Sequence, residues 1–174
     1  SRHVREVADV NGDGKVDIVG FGNDGVHVAL SSGNNFVYSG MWSSSFAFNG
    51  ENWRVDKHVR RVADVNGDKK ADIIGFGDNA VWVAFSTGTG FAPMTQWHYD
   101  FDSDSGWTNV SGNSPFSKVP TAYNPDYPRF VADVSGNGKA DIIAFGNTNK
   151  PFKDIAYAVA TSIGFGNKVM LSQE

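Results

Sequence analysis

The stretch Ala8–Gly22 reads ADVNGDGKVDIVGFG. Its first half is crowded with acids and amides, and its second half is apolar and β-branched. With Asp9 as position one, side-chain oxygens fall at Asp9, Asn11, Asp13 and Asp17, and the Lys15 carbonyl falls at position seven. Alternate oxygens in a tight loop suit a hard cation that takes six to eight of them. A calcium-binding helix–loop–helix needs a glutamate at position twelve and a helix beyond it. Position twelve is Gly20, and the residues around it read as a strand. The spacing therefore predicts a metal-binding loop between two strands. The competing view is a plain turn, in which the acids bond nearby backbone amides.

The stretch recurs. VADVNGDGKVDIVGFG from Val7 returns as VADVNGDKKADIIGFG from Val62 and as VADVSGNGKADIIAFG from Val131. The second loop offers Asp64, Asn66, Asp68, the Lys70 carbonyl and Asp72. Lys69 stands there at the glycine of the sharp turn. The third loop offers Asp133, Ser135, Asn137, the Lys139 carbonyl and Asp141, with one carboxylate fewer. Fewer charges weaken calcium binding, so the expected order of affinity is first, second, third.

Each copy carries four short candidate strands, which in the first are Val4–Val10, Asp17–Gly22, Val26–Ser31 and Phe36–Trp42. Four strands per repeat at this period match the blade of a β-propeller. The fold expected is all-β: three four-stranded antiparallel blades at about 1–42, 58–97 and 127–171, with joints at 43–57 and 98–126. Propellers close with about four to eight blades, so the ring is expected to be completed by other chains or by further sequence.

Composition narrows the function. The chain has 174 residues, 40% of them hydrophobic, with 20 glycines, 13 phenylalanines, no cysteine and a net charge of −4. That balance argues against a nucleic-acid groove, which needs clustered Lys and Arg. No apolar run approaches the length of a membrane span. The lack of cysteine leaves the compartment unmarked, and a sequon at Asn109 points only weakly to secretion. The recurring acids are accounted for by the loops, and no nucleophile motif is present, so no enzyme is expected.

The repeat resembles the FG-GAP or VCBS blade of integrin α-subunit propellers. It is closer to mushroom lectins of the Psathyrella velutina type, whose blades carry a Trp-Arg, a basic stretch and then the ADVxGDGxADIVGFG core. NWRVDKHVRRVADVNGDKKADIIGFG, Asn52–Gly77, carries that likeness, with Val59 in place of a proline. The resemblance implies calcium in some blade loops and N-acetylglucosamine-type or sialylated glycans bound between neighbouring blades. An adhesion propeller of integrin type, or a non-catalytic fragment of a larger protein, is the alternative.

A sugar site pairs an aromatic face with a few polar groups. His27, Trp82 and Tyr157 occupy one phase of the third strands, and Trp53, Arg54 and His58 stand in the first joint. These six are the candidate sugar contacts. Packing between blades is the other role open to the aromatic residues.

Overall fold

The computed structural model describes residues 3–101, 128–145 and 155–171. They form twelve strands and three antiparallel sheets in meander order. Blade 1 comprises β1 (Arg5–Ala8), β2 (Asp17–Phe21), β3 (Val26–Ser31) and β4 (Phe36–Ser43). Blade 2 comprises β5 (Arg60–Ala63), β6 (Asp72–Phe76), β7 (Val81–Ala84) and β8 (Thr95–His98). Blade 3 comprises β9 (Arg129–Ala132), β10 (Asp141–Phe145), β11 (Ile155–Ala158) and β12 (Val169–Leu171). The first strands β1, β5 and β9 lie side by side and mark the axis. The fold is the expected all-β stack of propeller blades. No helix among the described residues is long and apolar enough to cross a membrane.

β1 is shorter than the apolar run, because Asp9 and Val10 leave the ladder to enter the acidic loop. The cores lie between blades, not within them. Val10, Val19, Phe21, Val26 and Val28 of blade 1 pack with Ile73, Ala84 and Phe91 of blade 2. Ile74, Phe76 and Val83 of blade 2 pack in turn with Ile142, Ala144 and Ala158 of blade 3. Strand burial follows from this stacking. All five residues of β6 are buried, whereas β2 alternates buried and half-buried. A strand covered on both faces needs a continuous apolar run, and one covered on a single face needs alternation.

Three further devices lace the blades together. Near the axis the buried Arg60 donates to the Phe46 carbonyl at 3.2 Å beside the Phe21 ring. Arg129 repeats this with the Phe101 carbonyl, at 3.0 Å, and the Phe76 ring. At the outer edge Trp42 packs on Phe91, and Trp97 packs on Phe165. At the loop end Ala71 N–H donates to the Asp9 carbonyl at 2.8 Å, and Ala140 N–H to the Asp64 carbonyl at 2.7 Å. His98, on which the sequence is silent, bonds the Gly166 carbonyl at 2.9 Å across the second interface.

Candidate functional site

The acidic loops share one end of the blades. Asp9 accepts N–H bonds from Gly12, Asp13 and Gly14, and Asn11 accepts one from Asp13. Asp13 accepts the Lys15 N–H and pairs with the Lys15 ammonium at 3.0 Å. That bond to Lys15 holds the Asp13 carboxyl below its usual range. The second loop repeats the pattern, with Asp64 bonded to Asn66, Gly67 and Lys69 and Asp68 paired with Lys70. Lys69 takes the turn at φ 69°, where Gly14 and Gly138 have 82°. A side chain at that left-handed position costs backbone strain that glycine avoids.

Position nine behaves differently. Asp17 is buried and turned into the blade, accepting Val10 N–H and Ser31 N–H. Asp72 accepts from Val65 and Ser86, and Asp141 from Val134, Ser135 and Ala160. One carboxylate thus ties the acidic loop to the end of the third strand in every blade. Burial pushes Asp72 up to about 7, against the pull of the Ser86 and Val65 N–H bonds. Among the described residues no three His, Cys, Asp or Glu side chains gather as a metal-holding group. Positions one, three and five keep oxygens at the loop surface, with chemistry suited to a hard cation. Position nine also ties the loop to the strands.

The opposite end holds the β2–β3 and β6–β7 turns and the joint between blades 1 and 2. The joint caps the first turn, with Phe48 N–H bonded to the Gly22 carbonyl and Asn49 N–H to the Asn23 carbonyl. Phe46 and Trp53, their rings 5.0 Å apart, press on β6. They come so close that a Cβ on Gly75 would stand 2.6 Å from each ring. Trp53 is 4% exposed and its indole N–H bonds Glu51. It is a staple of the joint and presents no open face to a ligand.

His58 sits against Trp53 and links the joint to the second turn. The Arg54 N–H donates to Nδ1 at 3.0 Å, so the ring proton is on Nε2, which faces Asp78 Oδ1 at 2.9 Å. Lys57 also pairs with Asp78. Burial pulls the His58 pKa below its ordinary value, and Asp78 opposes that pull. Arg54 lies over the Phe48 ring at 3.9 Å and donates to the Phe48 carbonyl. Trp82 is half-buried, packs toward blade 1, and lays its Cδ1–Nε1 edge over Gly77. Its indole N–H has no hydrogen-bond partner among the described residues.

The structure therefore brings Arg54 and His58 into one network with Trp53 behind them, and it places Trp82 on the β6–β7 hairpin that carries Asp78. His27 holds the same place on blade 1. There it bonds Asp24 at 2.9 Å and the Tyr38 hydroxyl at 2.8 Å. Tyr157 holds it on blade 3, half-buried. Asn109 and residues 102–126 of the second joint lie outside the described residues. Sequence reasoning missed Asp78 and its counterpart Asn23, which bonds His3 at 3.1 Å. Overlaying the first two copies would have found them, because each follows the FG pair of its strand.

A half-buried indole, a histidine–carboxylate bridge and an arginine thus stand at one end of the first two propeller blades. No family model matches the chain, and no curated protein matches it. Among solved structures the chain is similar to a lectin from Agrocybe aegerita, described as specifically recognising non-reducing terminal N-acetylglucosamine. The identity is 32%, the TM-score is 0.75, and the match covers 97% of this chain and 38% of that one. The chain thus spans 38% of the length of that relative.

Proposed function

We propose that this chain is a carbohydrate-binding segment of a propeller lectin. It takes glycans ending in N-acetylglucosamine, or sialylated glycans, in the clefts at its blade joints. Its role is binding and not catalysis. The observation that carries this is Trp82. Its indole is half-buried, with an N–H that has no partner among the described residues and an edge over Gly77, next in sequence to Asp78, in a chain 32% identical to an N-acetylglucosamine lectin. The apolar face of the indole suits a sugar ring or an acetamido methyl, and the flanking polar groups suit hydroxyls. Arg54 supplies a cation for an acidic sugar. Repeated clefts make the binding multivalent, which raises avidity without new contacts.

Glycan-array binding that free N-acetylglucosamine abolishes is the expected result. Trp82→Ala is expected to weaken it about tenfold, from the loss of roughly 1–2 kcal/mol of aromatic contact. Binding to a protein partner with no response to any glycan would replace this reading with an adhesion role. Calcium in the acidic loops belongs to the same proposal, held by Asp9, Asn11, Asp13, the Lys15 carbonyl and Asp17 and by their counterparts. It would compete there with the Lys15 and Lys70 ammonium groups.

A further inference from the structure

Positive charge gathers where the first strands of blades 2 and 3 begin. Arg60 and Arg61 open β5, and Arg129 opens β9. Arg60 and Arg129 are buried, and each donates to a main-chain carbonyl, of Phe46 and of Phe101. A carbonyl brings no formal charge to set against a guanidinium. Arg61 gives Nη1 to Glu6 Oε1 at 2.9 Å and Nε to the Arg129 carbonyl at 3.2 Å. Its Nη2 has no hydrogen-bond partner among the described residues, and neither do Nε and Nη2 of Arg60.

The same residues wall a cavity. It holds about 180 Å³ and lies between the starts of β5 and β9, with Val4, next to β1, on its third side. Arg60, Arg61, Arg129 and His58 line it, and valines and a proline complete the wall. Such apolar walls lower the local dielectric and concentrate the field of the charges behind them. The Arg61 side chain is 31% exposed and that of Glu6 24%, so the cationic lining is reached from solvent.

We propose that this cavity binds a small tetrahedral oxyanion, phosphate or sulfate. Arg61 is the contact residue, because a guanidinium fork matches two oxygens of such an ion and its Nη2 is open. Arg60 and Arg129, held between blades, act through their field. A single water needs only about 10–15 Å³ of such space, so the cavity has room for the ion and several waters. Glu6 is the built-in competitor, since its carboxylate already engages Arg61 by the same chemistry. The cavity shares His58 as a wall with the network at the blade joint, but the proposal does not rest on sugar binding there.

Titration calorimetry with inorganic phosphate, against chloride at matched ionic strength, tests this. Saturable binding of phosphate and none of chloride is expected. Arg61→Gln should weaken it about tenfold or more, and Glu6→Gln should tighten it about tenfold by releasing Arg61. Lys168→Gln removes the same unit charge away from the cavity and should leave the affinity unchanged. Glucose 6-phosphate is the second probe. Equal affinity for it marks the site as a reader of a phosphate ester, and binding of inorganic phosphate alone marks it as a site for the free ion. No saturable binding of either probe overturns the proposal. So does an Arg61→Gln affinity equal to wild type, or an equal loss in Lys168→Gln, which would mark net charge alone. If Arg61→Gln does not fold, Glu6→Gln decides, and a failure to tighten binding overturns the assignment.

Discussion

The Arg60 guanidinium lies 5.3 Å from the centre of the Phe21 ring, buried between blades, with Nη1 on the Phe46 carbonyl. Its Nε and Nη2 have no hydrogen-bond partner among the described residues, and burial lowers its pKa to about 10. Such a group stabilises less by its charge than by its long apolar stem. Arg60→Ala is expected to cost about 3 kcal/mol, as large-to-small core changes do. Arg60→Met keeps the stem and should cost under about 1.5 kcal/mol. Urea midpoints of the two variants provide the measurement. Equal losses would show that the bond to Phe46 matters more than the packing.

Gly75 and Gly20 occupy the same register in β6 and β2. A Cβ on Gly75 would run into Phe46 and Trp53 at 2.6 Å, but on Gly20 its nearest neighbour is the His27 carbonyl at 3.8 Å. Gly75→Ala should therefore destabilise by about 1–3 kcal/mol through overpacking. Gly20→Ala should be neutral or slightly stabilising. Thermal melts of the pair check this, and similar melting temperatures would contradict the joint's packing on β6.

His58 gives the fold a pH dependence of known sign. Its folded pKa is lowered, mainly by burial, so the unfolded chain binds the proton more tightly. The stability this contributes is present above the unfolded value of about 6.5 and is lost as pH falls through the folded value. The melting temperature should drop between pH 7 and pH 5. His58→Gln should flatten that drop, and an unchanged slope in the variant would remove His58 as its cause.

Calcium should raise the melting temperature and a chelator should reverse the gain, since a ligand of the folded state stabilises it by mass action. Lys15→Met frees Asp13 from its ammonium partner and should enlarge the response. No shift with calcium in either protein would sink the metal reading.

The repeat, the strand count and the placement of β3 were legible because apolar alternation and turn chemistry are local. The role of Asp17 was not. Its place in an alternating run of oxygens reads as a ligand, and the Ser31 amide it also holds lies fourteen positions on. Nothing in the loop itself marks that partner. Trp53 was read as either staple or sugar contact, and only its burial separates the two. Asp78 carried no motif of its own. It gains meaning from His58, twenty residues earlier, which the fold brings within 2.9 Å.

The paired placement of Arg60 and Phe76 has a consequence for how such chains arise. Blade 2 carries the plug for its predecessor and the socket for its successor, and the same is true of its loop carbonyl and its alanine N–H. A duplicated segment of gene that spans one blade therefore brings a complete set of matching contacts with it. Blade number can change by whole units without any new interface having to be invented, and the variable joints are left to diverge in what they recognise.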